Sequence, residues 1–142
     1  MKKSKIVCLI LCLMCAILFI AWKNQNHYVD IYNVVKESFT TDKGYSNKLS
    51  GYISEDVFNR INVYKVYNVN DENYKKPFKV DFKLKENSQS KTLDTVYVKM
   101  TYSVSIKDSQ NKEVGGSWNI PIKFTVKKVN GKWCIIDKYE EP

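Results

Sequence analysis

The strongest constraint on the fold is a change in hydrophobic period at Pro77. From this residue onwards, apolar side chains recur at every second position, which is typical of β-strands with one buried face. The alternating stretches run over residues 78–84, 96–106, 118–126 and 132–139. Because each stretch has only one apolar face, they predict an open antiparallel sheet of four strands that is covered on one side.

Before the sheet, the apolar residues follow the period of amphipathic helices. A stripe of four residues predicts a first helix over residues 27–40: Tyr28, Ile31, Val35 and Phe39. Ser54 is a favourable N-cap for a second helix. Residues 62–67 fit either a helix or a strand, and residues 68–76 read as a polar loop. The fold class is therefore α+β, with helices packed on a four-stranded antiparallel sheet.

The last hairpin sets the predicted register of two strands. Asn130-Gly131 is a strong signal for a two-residue turn. Closing that turn places Val126 opposite Ile135, Phe124 opposite Asp137 and Ile122 opposite Tyr139. Asp137 is then expected on the apolar face.

The preceding hairpin turns around residues 108–112. Its apolar faces stay together if Tyr102 lies opposite Trp118. The adjacent pair Gly115-Gly116 indicates a bulge or a sharp bend where the third strand begins. We therefore expect a curved sheet.

Residues 1–23 have a different character. Three lysines precede an unbroken apolar run of 17 residues, from Ile6 to Trp22. Such a run rises about 25 Å as a helix, at the short end of what spans a bilayer. We predict a Lys-rich cytoplasmic start and a single membrane anchor in residues 1–23. By the positive-inside rule, residues 24–142 form an extracytoplasmic domain of a single-pass protein of the cell membrane.

Two other fates of this segment stay open. Cleavage by signal peptidase requires small residues at positions −3 and −1, and the candidate Phe19-Ile20-Ala21 has Phe at −3. Lipidation requires a small residue before a cysteine, whereas Cys8, Cys12 and Cys15 follow larger apolar ones. Retention as an anchor is the prediction that fits best.

Motifs for catalysis or cofactor binding are not found in the sequence. It has no glycine-rich phosphate loop, no Cys/His cluster and no nucleophile elbow. The single histidine, His27, adjoins the anchor, and Cys134 is the one cysteine beyond the anchor, so the domain forms no internal disulfide. We therefore expect neither an enzyme nor a bound metal or cofactor.

The two helices, the long strands and the segment Val129-Asn130-Gly131-Lys132-Trp133 together resemble a known superfamily. They are similar to the nuclear-transport-factor-like, cystatin-like α+β domains, over about residues 28–140. The resemblance implies helices lying across a curved sheet to form a cone with an internal cavity. Such domains usually carry a further strand or hairpin between the helices, for which residues 62–67 are the only candidate. Membrane-anchored bacterial relatives include domains of conjugation and secretion machinery.

Six residues are candidates to line such a cavity, and Asp137 is the most notable of them. The six are Asp137, Tyr102, Trp118, Phe124, Trp133 and Tyr139. A carboxylate on an apolar face has its pKa raised by desolvation unless hydrogen-bond donors stabilise its ionised form. We favour a structural role for Asp137 that involves such donors, and a core role for the aromatic residues.

Lysines also follow the opposite face of the predicted sheet. They are Lys79, Lys83, Lys99, Lys123 and Lys127, in a chain whose net charge is +8. With Tyr97 among them, they resemble the surface of a single-strand nucleic-acid binder, but an exported location argues against nucleic acid. Solvated lysines on a half-exposed sheet are the default interpretation. We predict a domain that works by protein interaction or assembly with other envelope proteins. Small-molecule binding or a minor enzymatic role in the cavity is the alternative.

Overall fold

The computed structural model describes residues 2–24 and 27–141, and within the first range it describes the side chains of residues 6–20. Five helices precede four strands in this part of the chain. The helices are α1 (Lys2–Asn24), α2 (Tyr32–Thr40), α3 (Asn47–Ser50), α4 (Glu55–Ile61) and α5 (Val63–Val66). The strands are β1 (Lys79–Thr92), β2 (Thr95–Lys107), β3 (Glu113–Val129) and β4 (Lys132–Glu140). The side chains of Lys2, Lys3, Lys5 and Trp22 lie outside the described residues.

The strands form one open antiparallel sheet in the order β1-β2-β3-β4, so each strand pairs with its neighbour in sequence. This confirms the predicted α+β class and the four-stranded antiparallel sheet. β1 continues to Thr92, well past the predicted end at Leu84, and pairs with β2 along its whole length. The sheet therefore has long strands that meet at short turns.

The N-terminal helix α1 is apolar along its described part. Its large apolar residues between Ile6 and Ile20 are each 52–67% exposed. Within the described residues, no helix combines the length and the apolarity that crossing a membrane requires.

The predicted first helix begins later than expected, at Tyr32 instead of residue 27. Residues 27–30 belong to no helix or strand, because Gln89 of β1 binds the backbone of two of them, Tyr28 and Val29. The Oε1 atom of Gln89 accepts hydrogen bonds from the amides of Tyr28 and Val29, over 2.8 and 3.1 Å. Its Nε2 atom donates to the carbonyl of Val29 over 2.6 Å. A buried side chain thus replaces the intrahelical bonds that these amides would otherwise make.

Two polar residues organise the remaining helices. Ser54 caps α4 as predicted, by accepting a hydrogen bond from the amide of Val57. Asn62 resolves the ambiguous segment as a helix: its Oδ1 atom caps α5, and its Nδ2 atom donates to the carbonyls of Ser38 and Thr41, over 2.9 Å each. Asn62 is itself buried. The two bonds from its Nδ2 atom join this segment to the end of α2.

The core lies between the sheet and helices α2, α4 and α5. Phe58 of α4 and Phe124 of β3 are fully buried there. Phe39 of α2 contacts two aromatic rings of the sheet, with centroid distances of 4.8 Å to Phe82 and 4.7 Å to Tyr102. Dense packing of this kind fills the space between the layers.

A bulge in the last hairpin overturns part of the predicted register. Val126 pairs with Ile135 as expected, but the register shifts by one residue between Val126 and Thr125. Asp137 therefore lies opposite Thr125, and the predictions that it faces Phe124 and that Tyr139 faces Ile122 are wrong. A shift of one residue moves every following side chain to the other face.

The register of the preceding hairpin also differs from the prediction. Tyr102 pairs with Ile120 and not with Trp118, because the ladder is irregular between Tyr102 and Val104. A second irregularity lies between Ile106 and Lys107. The two irregularities therefore lie on either side of Ser105 and Ile106, the residues that pair with Gly116 and Gly115. The bulge predicted near these glycines is confirmed. A Cβ atom on Gly116 would lie 2.7 Å from the carbonyl oxygen of Val104, which explains why glycine is needed there.

Candidate functional site

The structure does not gather the six predicted cavity residues in one place. Phe124 and Tyr102 lie in the core, where they are fully and almost fully buried. Trp133 is half-buried and packs against the edge of the core. Trp118 and Tyr139 are 59% and 53% exposed, because the bulges turn both of them away from the helices. The expectation that these aromatic residues share an inner surface is wrong for Trp118 and Tyr139.

Asp137 is also turned outwards, so its predicted position on the apolar face is wrong. Its Oδ1 atom accepts a hydrogen bond from Nη2 of Arg60 over 2.6 Å and another from the amide of Lys138 over 2.8 Å. The bond from Arg60 is the main reason that the pKa of Asp137 lies below its ordinary value, and the Lys138 amide lowers it further. The expectation that donors stabilise this carboxylate is confirmed.

The same bulge turns Lys138 and Glu140 towards the helices, where Asp137 and Tyr139 were predicted instead. The Nζ atom of Lys138 donates to Oε1 of Glu140 over 2.9 Å, and the two side chains are only 14% and 28% exposed. Burial, followed by the nearby charge of Glu140, raises the pKa of the Tyr102 hydroxyl. Tyr67 and Ser117 lie close by, joined by a hydrogen bond of 2.6 Å. We call these five residues the inner cluster.

The chemistry available to the inner cluster is limited. The Lys138 ammonium and the Glu140 carboxylate form an ion pair, and burial makes the Tyr102 phenol less acidic by raising its pKa above the ordinary value. The cluster offers a polar contact surface beside the core.

The uncovered face of the sheet carries the predicted row of lysines. Lys79, Lys83, Lys99, Lys123 and Lys127 alternate onto this side, and we call these five residues the basic face. Lys99 lies directly opposite Lys123 in the register of β2 and β3. Like charges in opposing positions destabilise a sheet, so this pair favours the approach of an anion.

Lys123 lies between two tyrosine rings that were not predicted to meet. Its Nζ atom is 5.8 Å from the ring centroid of Tyr97 and 5.4 Å from that of Tyr139. Such contacts hold an ammonium group by cation–π attraction and leave its other side open to a ligand. The bulge at Ile136 brings Tyr139 to this position, so a regular ladder could not have predicted it.

A shallow depression of about 270 Å³ lies beside this lysine pair. Its lining includes Asn87, Lys99, Lys123 and Tyr139, with Glu141 at one side. Three further carboxylates lie on this side of the sheet, those of Asp81, Glu113 and Asp137, and Arg60 pairs with Asp137. The basic face is therefore positively charged on balance.

The remaining reactive residues do not form a site. Among residues 6–20 and 27–141, no group of three or more His, Cys, Asp or Glu side chains could hold a metal ion. Cys134 is buried opposite Lys127, and burial raises the pKa of its thiol. His27 lies 3.5 Å from Oε1 of Glu86, beside the start of the domain.

Comparison of the chain with protein-family models, with curated proteins and with solved structures found no match. The resemblance to the cystatin-like superfamily therefore stays a prediction.

Proposed function

We propose that the chain is a membrane-anchored domain that binds an acidic protein partner through the basic face. The observation that carries this proposal is the opposed pair Lys99 and Lys123, on the side of the sheet that faces away from the core and from the described helices α2, α4 and α5. Protein interfaces use complementary charge to select partners and to speed their association.

The properties of α1 support the anchoring part of the proposal. Its apolar residues from Ile6 to Ile20 are exposed side by side, and a continuous apolar surface of this kind is unfavourable in water. Three lysines precede this segment, and the positive-inside rule then favours an extracytoplasmic position for the domain. The partner is accordingly an envelope protein.

Charge also favours an acidic partner over a second copy of the chain. Two basic faces brought together would oppose several lysines to several lysines, at a cost in Coulomb energy. An acidic surface instead relieves the repulsion between Lys99 and Lys123. Salt screening should weaken such binding strongly.

The test uses the full chain in neutral detergent micelles, titrated into fluorescein-labelled poly-L-glutamate and followed by fluorescence anisotropy. We expect the variant Lys99→Glu/Lys123→Glu to bind this acidic probe about tenfold more weakly, a loss of ~1.4 kcal/mol. The matched control is Lys36→Glu/Lys43→Glu, which makes the same change in net charge at two exposed positions away from the sheet.

The two double variants separate a specific face from general charge. Weaker binding in the first and nearly unchanged binding in the control supports the basic face. Equal losses in both would mean that the probe responds only to net charge, and would contradict the proposal.

A second candidate function is small-molecule binding at the inner cluster. The observation that favours it is the partly buried pair of Lys138 and Glu140 beside the hydroxyl of Tyr102. In that case Lys138→Met should abolish binding of the small molecule, whereas Lys99→Glu/Lys123→Glu should leave it unchanged.

A further inference from the structure

The two turns at one end of the sheet begin from neighbouring positions of the ladder. Thr92 pairs with Thr95, and Thr95 pairs with Lys127, so these three residues lie side by side. Leu93 follows Thr92 by one residue, in the turn from β1 to β2, and Val129 follows Lys127 by two residues, at the turn from β3 to β4. Both turns therefore project from the same end of the sheet, and Val129 lies about 3 Å further out than Leu93. We call this part of the sheet the hairpin end.

Each tip exposes an apolar side chain. Leu93 is 91% exposed and Val129 is 46% exposed. Leu93 also has a φ of 51°, a left-handed conformation that leucine rarely adopts and that glycine or asparagine adopts at lower cost. Because Leu93 is exposed and its backbone conformation disfavours leucine, a leucine at this position does not help the domain to fold. This points to a contact between Leu93 and an apolar environment outside the domain.

Lysines and aromatic rings surround the two tips. Lys91 lies with Nζ 6.0 Å from the ring centroid of Tyr28, and Lys128 with Nζ 5.3 Å from that of Trp133. Lys132 is exposed at the second turn. Three carboxylates lie at or near this end, those of Asp30, Asp94 and Glu86, which contacts Gln89 and His27. Together with Lys127, the lysines here outnumber them. Lysines with aromatic rings around apolar tips match the headgroup region of an anionic bilayer.

The hairpin end is also the end of the domain next to α1. Asn24 ends that helix, and three Cα–Cα steps separate it from His27, a distance of at most about 11 Å. Immediately after His27, the backbone of Tyr28 and Val29 is bound to Gln89, which lies three residues before the end of β1. The opposite end of the sheet is ten residues away along β1.

We propose that the hairpin end docks on the anionic phospholipid surface in which α1 is anchored. Leu93 and Val129 enter the boundary between headgroups and acyl chains, while Lys91, Lys128 and Lys132 bind lipid phosphates. This inference rests on the membrane anchoring proposed above. Docking would fix the orientation of the domain and leave the basic face free to meet a partner.

The test places an environment-sensitive NBD fluorophore at one tip of the full chain, reconstituted in vesicles of phosphatidylglycerol and phosphatidylcholine. The four native cysteines are replaced by alanine, and the label is attached to Leu93→Cys. The matched control is Asn111→Cys, an exposed turn position with a φ of 62° at the opposite end of the sheet. We expect doxyl-labelled lipid to quench the label at position 93 at least ~2-fold more strongly than the label at 111.

Three outcomes oppose the proposal or its basis in different ways. Equal quenching at positions 93 and 111, in protein that resists alkaline extraction from the vesicles, would overturn docking while leaving the anchor intact. The role of anionic lipid would be overturned if the label at position 93 were quenched as strongly in vesicles of phosphatidylcholine alone as in vesicles that also contain phosphatidylglycerol. Release of the whole chain by alkaline extraction would instead overturn the anchoring on which the inference rests.

Discussion

Arg60 donates a hydrogen bond from Nη2 to Oδ1 of Asp137 over 2.6 Å and thereby joins α4 to the edge strand β4. The same guanidinium lies with Nε 3.0 Å from Oδ2 of Asp56 and donates from Nη1 to the carbonyl of Lys138. Arg60 is the only arginine of the chain. It braces the strand next to the bulge that turns Asp137 outwards and Lys138 inwards.

Asp137→Asn should destabilise the protein slightly at neutral pH, by less than about 1 kcal/mol, because the ion pair with Arg60 is largely exposed. The pKa of Asp137 is lowered by folding, so its stabilisation is present above the unfolded pKa, near 3.8, and is lost as the pH falls through the folded pKa. Thermal unfolding of both proteins across the acidic range measures this difference. A difference between Asp137→Asn and the native protein that stays constant at every pH would refute the pairing.

Gly131→Ala should lower the free energy of unfolding by about 1–2 kcal/mol, because Gly131 has a φ of 78° and alanine is strained in that conformation. A Cβ atom at this position would meet no atom within 4 Å, so the cost comes from the backbone alone. Gly51→Ala is the matched control: it has equally open surroundings but a φ of −79°. Similar urea midpoints for the two variants would argue against this turn conformation.

Asp108→Ala should destabilise the turn between β2 and β3. Burial opposes the ionisation of Asp108, but hydrogen bonds from the amides of Lys75, Lys112 and Gln110 outweigh it and keep the pKa below the ordinary value. Removing the carboxylate leaves three amides without their acceptor. The urea midpoint should fall clearly for Asp108→Ala but hardly for Ser109→Ala, its exposed neighbour. Equal midpoints would mean that the turn does not depend on this carboxylate.

Much of the fold was predictable because hydrophobic period and turn chemistry are local properties. The four strands, the Asn130-Gly131 turn and the Ser54 cap follow from neighbouring residues alone. The start of α2 was not predictable from its own residues, since Gln89, about 60 positions away, binds the amides that precede the helix.

The candidate site was less predictable because one extra residue in a strand changes its face. Ile135 and Ile136 are both apolar, so the sequence gives no sign of which residue is bulged out. That choice decides whether Asp137 and Tyr139, or Lys138 and Glu140, face the helices. The lysines of the basic face lie on β1, β2 and β3, whereas this bulge is in β4. The bulge therefore does not move them to the other face, and their face of the sheet was predicted correctly.

The most direct test of the central claim is the reactivity of Lys99 and Lys123 in native membranes. Limited acetylation with a membrane-impermeant reagent, followed by mass spectrometry, compares each lysine in membranes with the same lysine in the purified full chain. We predict that Lys99 and Lys123 react more slowly in membranes, because a partner covers the basic face, while Lys36 and Lys43 react at the same rate in both. Equal rates for Lys99 and Lys123 in the two preparations would contradict the account.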